Sequence, residues 1–353
     1  MDFKNIKRPV IIAGPCSAET EKQVMETAVK LAADGIKIFR AGIWKPRTRP
    51  GNFEGIGSKG LEWLKNVKEQ TGMLTTTEVA NTKHVYEALK AGIDILWIGA
   101  RTSTNPFAVQ EIADALKGMK IKIMIKNPVN ADINLWIGAT ERFKKAGISD
   151  ITVIHRGFSS YTQSIYRNDP MWQIPVEFRR RMKDIPMLCD PSHIAGRRDL
   201  LLRISQKAMD LNYEGLMIET HINPKTALSD AKQQITPEEL KKLINSLIIR
   251  HRNIKDMENP EHLNTLEELR TKIDEYDEII FNYLHKRMET AKDIGKLKKK
   301  NKITVYQPDR WNQILEHAVE KGKKLGLSTR FINTFLEAVH QESINRQTEI
   351  FKK

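Results

Sequence analysis

Up to about Arg250 the chain repeats one pattern of apolar and polar positions. A short run rich in β-branched residues ends on a polar or charged residue, and an amphipathic stretch at helical spacing follows. The runs are Val10–Ala13, Ile36–Phe39, Met73–Thr77, Ile95–Gly99, Ile121–Ile125, Ile151–Ile154, Met187–Cys189 and Leu216–Ile218. Strands that alternate with helices predict parallel βαβ units. Eight of them in about 250 residues predict an α/β chain closed as a (β/α)8 TIM barrel. A doubly wound open sheet is the alternative. It is disfavoured because the first run is not followed by the glycine fingerprint of a dinucleotide fold.

Near Arg250 the pattern changes. Ile235–Ile254 reads as the last barrel helix, with Thr236-Pro237-Glu238-Glu239 as its start signal. A polar stretch from Lys255 to His262 reads as a linker. Beyond it, Leu266, Leu269, Ile273, Tyr276, Ile280 and Leu284 recur at three- and four-residue steps, and the seam continues through Met288, Ala291 and Ile294. This predicts one long helix with a single apolar seam. A turn at Thr304–Pro308 and a break from Gly322 to Ser328 predict two further helices. The expected organisation is a barrel over 1–254, a linker over 255–262 and an all-α helical domain over 263–353.

Composition narrows the classes. The chain has 353 residues, enough for two domains, and 40% of them are hydrophobic. No apolar run reaches membrane-spanning length, and Val10–Ala13 is too short for a signal-peptide core. The expectation is a soluble, cytoplasmic protein without a membrane partner. Two cysteines, Cys16 and Cys189, do not make a disulfide framework. The net charge of +14 raises the question of nucleic acid. No aromatic-plus-basic ladder and no zinc-finger spacing supports it, so no nucleic-acid partner is expected. Much of the excess lies in the last hundred residues, as in Lys296 to Lys302. A solvated helix face and sites for polyanionic small molecules both remain open.

The residues at the ends of the eight runs carry the chemistry: Cys16, Arg40, Glu78, Arg101, Lys126, Arg156, His193 and Glu219. In a barrel they converge on the C-terminal face, where active sites lie. The cations Arg40, Lys45, Arg47, Arg101, Lys126 and Arg156 outnumber the nearby carboxylates, so the site expects anions, and the arginine fork suits phosphate. Cys16, His193, Glu219 and Asp230 offer a mixed sulfur, nitrogen and oxygen donor set. It suits Mn²⁺, Fe²⁺, Zn²⁺ or Co²⁺ better than Mg²⁺. Spacing alone does not single these four out, and a sugar-phosphate-binding barrel of different chemistry remains the alternative.

Gly14-Pro15-Cys16-Ser17, Lys45-Pro46-Arg47-Thr48, Ile98-Gly99-Ala100-Arg101, His155-Arg156-Gly157, Asp190-Pro191-Ser192-His193 and Leu228-Ser229-Asp230 stand in order along the barrel. Together they resemble the 3-deoxy-D-arabino-heptulosonate 7-phosphate (DAHP) synthases of the short, type Iβ branch, over nearly the whole first 250 residues. The 3-deoxy-octulosonate 8-phosphate synthases share the barrel and the phosphoenolpyruvate chemistry but lack the Lys-Pro-Arg-Thr segment. The resemblance implies that Arg101, Lys126 and Arg156 bind phosphoenolpyruvate, helped by Arg40 and Lys45. It implies that Arg47 and Thr48 bind the phosphate of erythrose 4-phosphate, and that Cys16, His193, Glu219 and Asp230 hold the metal, with Mn²⁺ the leading expectation. Lys45 is the candidate for proton transfer.

On the long helix Arg270, Arg287 and Lys298 stand out. Arg287 and Lys298 lie within roughly 20° of one face and about 16 Å apart along the axis. Arg270 is about 42 Å from Lys298, beyond the span of a small metabolite. If all three serve one site, Arg270 reaches the site of another chain, which predicts a homodimer through the helical domain. Ser343 and Gln347 share a face four residues apart. Leu269-Arg270-x-x-Ile273-Asp274, His285-Lys286-Arg287, Ile294-Gly295-Lys296-x-Lys298, Asp309-Arg310 and Ser343-x-x-x-Gln347 resemble an AroQ-type chorismate mutase over roughly 263–350. The resemblance implies that Arg270, Arg287, Lys298, Arg310, Ser343 and Gln347 bind chorismate, with Lys298 and Gln347 on the ether oxygen. Trp311 and Gln307 depart from that pattern, where acidic residues are usual, and put the strength of the hydroxyl contacts in doubt.

The expected function is the condensation of phosphoenolpyruvate with erythrose 4-phosphate, joined to the rearrangement of chorismate to prephenate. About nine residues precede the first strand, so feedback control is expected from the helical domain. The alternative is a synthase whose helical domain only senses chorismate or prephenate and dimerises.

Overall fold

Eight strands form where the β-branched runs lie: β1 Val10–Gly14, β2 Ile38–Arg40, β3 Leu74–Val79, β4 Ile95–Ile98, β5 Lys122–Lys126, β6 Ile151–His155, β7 Met187–Cys189 and β8 Gly215–Glu219. All neighbours are parallel, and β8 returns to β1, closing the barrel. The structure is a computed structural model and describes residues 3, 8–45, 51, 53–160, 164–252 and 260–352. The chain divides into two compact units, Met1–Arg252 and Asn253–Lys353.

Side chains alternate across a strand, and this parity positions the first site. Ile12, Ile38, Trp97, Met124, Ile154, Leu188 and Met217 form one buried cluster, with Phe3 among them. The residue two places further along β2, β5 and β8 points the same way. It is Arg40, Lys126 and Glu219, and Arg156 stands two places beyond Ile154. The top layer of the barrel interior is therefore charged, and the cluster beneath it is apolar apart from Thr152 and Lys122, buried on the same parity. The opposite parity, with Ala13, Phe39, Leu96, Ile123, Ile125 and Val153, packs on the surrounding helices. Gly14 (φ +145°) is needed where β1 meets β2, because a Cβ there would collide with the Arg40 backbone.

The barrel helices are α1 Glu21–Ala33, α2 Lys59–Thr71, α3 Thr82–Lys90, α4 Pro106–Ala115, α5 Ile133–Lys145, α6 Gln173–Arg181, the short α7 Pro191–Ala195, α8 Leu201–Asp210 and α9 Pro237–Asn245. Thr236 and Glu239 close a capping box at the start of α9. The sequence reading carried this helix to Ile254, but it stops at Asn245. The competing partner is Gln206 on α8. Its side chain donates to the Ile248 carbonyl (3.0 Å) and accepts from the Ile248 N–H (2.9 Å), so the bonds of that residue go to a tertiary neighbour.

The second unit is three helices, α10 Pro260–Lys300, α11 Pro308–Lys324 and α12 Thr329–Lys352. Prolines open α10 and α11, a position that tolerates their missing N–H. The first of these begins inside the stretch read as linker, whose residues 255–259 lie outside the described residues. Gly295 lets α10 approach α12, since a Cβ there would sit 3.1 Å from the Gln347 backbone. Among the described residues no helix is long and apolar enough to cross a membrane.

Candidate active sites in the barrel and the helical unit

Cys16 Sγ, a Glu219 oxygen and an Asp230 oxygen lie within 4.8 Å of one another. His193 Nε2 is 3.6 Å from Glu219 Oε1 and 3.9 Å from Asp230 Oδ2. Four residues from three strand ends and one loop thus converge. Asp230 is held at φ +50°, a conformation that few side-chain-bearing residues adopt. Asp190 caps α7, accepting from the His193 backbone N–H at 3.0 Å. Its Oδ2 also lies 2.7 Å from His193 Nδ1, which directs Nε2 towards the carboxylates.

This donor set fits a divalent transition metal. Glu219 Oε1 is fully buried and accepts no hydrogen bond, although Arg40 Nη2 lies 3.4 Å away, so the oxygen keeps a lone pair that a cation would satisfy. Burial, and then Glu219, push the Cys16 thiol up to about 12, so a bound cation must displace its proton. Burial alone would raise the Asp230 carboxyl, but His193 and Arg167 outweigh it and hold it below the usual range.

The cations read as anion ligands adjoin this cluster. Arg40 is 1% exposed, and its Nε and Nη1 are buried without an acceptor. Its guanidinium lies 5.0 Å from the Trp97 ring, and Lys126 Nζ lies 5.8 Å from the same ring. Arg156 is also buried, and burial lowers its guanidinium to about 10. Lys45 Nζ donates to Cys16 Sγ at 3.4 Å. Carboxylates meet two of these cations. Lys126 pairs with Asp190 at 2.8 Å, and Arg40 lies 3.4 Å from Glu219. Arg101 follows β4 and is exposed. Glu78 does not join the ligands. It accepts from Trp97 Nε1 at 3.1 Å and lies against Gly99, where a Cβ would strike its carboxylate. Arg47 and Thr48 lie outside the described residues.

The sequence reading quoted Asp190 in a motif without a role and missed Arg167, Asn168 and Gln233. Arg167 donates to Asp230 Oδ1 (2.8 Å) and Gln233 Oε1 (2.7 Å). Lys126 and Asp190 are 64 positions apart, and Arg167 and Asp230 are 63, so no local spacing reveals them.

In the helical unit a cavity of about 480 Å³ opens among Arg287, Lys298, Arg310, His340, Ser343 and Gln347. Five of these six are the expected ligand residues. Arg287 donates to Ser343 Oγ, and Lys298 donates to the Val305 carbonyl at 2.6 Å. Gln347 is buried, and its Oε1 has no donor. Trp311 lines the cavity and stacks on His340, with ring centroids 4.0 Å apart and planes at 14°. His340 went unnoticed because a single histidine on an amphipathic helix carries no signal. Its Nε2 is buried without a partner, and burial, then Arg287 and Lys298, lower its pKa, which keeps the ring neutral. Arg270 lies outside this cavity and pairs with Glu267 at 2.7 Å.

A model of the DAHP synthetase I family matches residues 5–254, and one of chorismate mutase type II matches residues 269–348. Over 237 residues the chain is 32% identical to a phospho-2-dehydro-3-deoxyheptonate aldolase of Thermotoga maritima, covering 67% of this chain and 68% of that protein. A 2-dehydro-3-deoxyphosphooctonate aldolase of Wolinella succinogenes is 27% identical over 264 residues, covering 68% of this chain and 98% of the relative. A crystal structure of the Thermotoga maritima DAHP synthase superposes with a TM-score of 0.61 at 30% identity, covering 69% of this chain and 70% of that one.

Proposed function

This chain belongs to the DAHP synthetase I family and carries a chorismate mutase type II domain, and from that premise we propose how its residues serve both reactions. The first is the condensation of phosphoenolpyruvate with erythrose 4-phosphate and one water to DAHP and phosphate, the water adding at the enol carbon that carries the departing phosphate. The second is the rearrangement of chorismate to prephenate. The observation that carries the first is the charged top layer of the barrel beside the Cys16, Glu219 and Asp230 cluster. It offers buried N–H donors without acceptors next to a buried carboxylate oxygen without a donor.

Arg40, Arg101, Lys126 and Arg156 hold the carboxylate and phosphate of phosphoenolpyruvate, and a guanidinium fork fixes such groups in orientation as well as in place. Arg47 and Thr48 take the phosphate of the sugar. Cys16, His193, Glu219 and Asp230 hold a divalent cation, Mn²⁺ by preference, with Fe²⁺, Zn²⁺ and Co²⁺ able to replace it. When bound, the cation supplies Lewis acidity at the aldehyde oxygen of the sugar. Lys45, within 3.4 Å of Cys16 Sγ, moves a proton at that oxygen as the new carbon–carbon bond forms.

In the helical cavity, Arg287 and Arg310 meet the two carboxylates of chorismate. Lys298 and Gln347 meet its ether oxygen, which gains negative charge as the bond breaks. Ser343 holds Arg287 in place. No side chain transfers a proton, because the shift is pericyclic. The protein selects the reactive conformer and stabilises charge. Arg270 completes the site of a second copy. The apolar seam of α10 supports this homodimer, because Ile273, Tyr276 and Ile280 are exposed in the single chain. Prephenate or chorismate at the helical site restrains the synthase, a coupling between two sites. The protein works in the cytoplasm.

The test is the full chain supplied with Mn²⁺ and both substrate sets. DAHP with one phosphate per phosphoenolpyruvate consumed is expected, and so is prephenate from chorismate. Loss of chorismate conversion alone favours the sensor reading of the helices. Phosphoenolpyruvate that persists beside erythrose 4-phosphate contradicts the synthase. Unchanged DAHP formation under saturating prephenate removes the feedback.

A further inference from the structure

We infer that Arg167 and Asn168 form a two-sided positioning hub, one side fixing the metal-binding carboxylates and the other fixing Arg156. This rests on the reading of Cys16, His193, Glu219 and Asp230 as metal ligands and of Arg156 as a phosphoenolpyruvate contact.

The Arg167 guanidinium reaches Asp230 directly and Glu219 through Gln233. It donates to Asp230 Oδ1 at 2.8 Å and to Gln233 Oε1 at 2.7 Å, and Gln233 Nε2 in turn donates to Glu219 Oε2 at 2.6 Å. Each carboxylate therefore has one oxygen clamped. The oxygens left are Asp230 Oδ2, 3.4 Å from Cys16 Sγ, and Glu219 Oε1, which accepts no hydrogen bond and has Arg40 Nη2 at 3.4 Å. These are the two that face the cysteine and His193 Nε2. The clamp selects which lone pairs are presented to a cation. Gln233 is 1% exposed, and a neutral amide there relays the guanidinium without adding charge.

Asn168 works on the other side. Its Nδ2 donates to the His193 carbonyl at 2.6 Å, and its Oδ1 accepts from Arg156 Nη1 at 2.6 Å. The backbone of the pair is tied to the turn that carries His193, through Arg167 N–H to the Ala195 carbonyl (3.3 Å) and Asn168 N–H to the Ile194 carbonyl (3.2 Å). Gly196, at φ +68°, ends α7 where a Cβ would press on Arg167 Cβ at 2.5 Å. A glycine there permits the close approach. Two adjacent residues thus touch three of the metal ligands and one anion ligand, directly or through Gln233.

The hub predicts separable defects. The full chain, stripped of metal, is titrated with Mn²⁺ and, separately, with phosphoenolpyruvate, by calorimetry and by the electron paramagnetic resonance of free Mn²⁺. Arg167→Met and Gln233→Leu should weaken Mn²⁺ binding about tenfold or more, with phosphoenolpyruvate affinity little changed. Asn168→Ala should weaken phosphoenolpyruvate binding about tenfold, the effect of losing a hydrogen bond to a charged group, and Mn²⁺ binding by less. Arg167→Lys should recover part of the Mn²⁺ affinity. Thermal unfolding of the metal-free variants separates a local defect from a global one. Mn²⁺ affinities of Arg167→Met and Gln233→Leu equal to that of the unaltered chain would overturn the clamp. An unchanged phosphoenolpyruvate affinity in Asn168→Ala would overturn the other side. An unaltered chain that binds no Mn²⁺ would instead remove the ligand reading on which the hub rests.

Discussion

The barrel and the helical unit solve the binding of anions in opposite ways. In the barrel, cations stand on the inward parity of the strands, two of them are met by carboxylates, and one of those carboxylates, Glu219, also belongs to the donor cluster with Cys16 and Asp230. In the helical unit the cavity is lined by three cations, and the polar partners drawn by Arg287, Lys298 and Arg310 are a hydroxyl, a carbonyl and an amide, with no carboxylate among them. The first arrangement suits a reaction that makes and breaks bonds between two molecules and needs both an electrophile and a proton path. The second suits a reaction within one molecule, where shape and positive charge are enough. Cys16, His193, Glu219 and Asp230 come together within one chain, whereas Arg270 lies outside the cavity of its own helices.

The largest expected effect breaks one side of this comparison only. Lys45→Met should lower DAHP formation by about a thousandfold, within the range for losing an acid–base group, with Mn²⁺ still bound and chorismate conversion intact. Turnover near that of the unaltered chain would deny Lys45 its proton. The converse is Arg287→Ala, for which chorismate conversion should fall roughly a hundredfold, as for loss of a hydrogen bond from a charged group. DAHP formation should not follow it down. A parallel loss of both activities would contradict two independent chemistries.

Smaller effects sharpen the contrast in electrostatics. His155 is fully buried on β6, where burial holds it down to about 3, below its ordinary 6.5. In between, the unfolded chain takes a proton that the folded barrel refuses, so stability falls as pH drops from about 6.5. The slope approaches about 1.4 kcal/mol per pH unit at most. Chemical denaturation of the barrel between pH 6.5 and 5 should show this decline, and His155→Gln should flatten it. A slope that survives the substitution assigns it to other groups. In the helical cavity, His340→Leu removes a neutral hydrogen-bonding ring beside the cations. It should lower kcat/KM for chorismate by about fivefold, the effect of one neutral hydrogen bond. An unaltered kcat/KM would leave the ring as packing for Trp311.

The strands and the charged residues at their ends were legible because both follow from local rules, whereas the ligand roles came from matching motifs. β-branched runs mark parallel strands, and the ends of those strands mark the barrel mouth. The same rules overran the end of α9, where Leu247, Ile248 and Ile249 continue an apolar pattern that Gln206 interrupts from another helix. They were silent on Asp190, Arg167 and Gln233, whose roles exist only once distant segments meet. Asp190 is instructive, since its cap on α7 is a local signal while its contact with Lys126 is not. In the helical unit the cavity residues were legible by matching motifs, but the stacking of Trp311 on His340 joins α11 to α12 and needed the structure.

The central claim is that one chain holds a metal-dependent site and a metal-independent site. It is tested most directly by assaying both reactions on one preparation before chelation, after chelation, and after Mn²⁺ is restored. DAHP formation should vanish with the metal and return with it, while the chorismate rate stays constant throughout. Chorismate conversion that falls with the metal, or DAHP formation that survives its removal, would contradict the account.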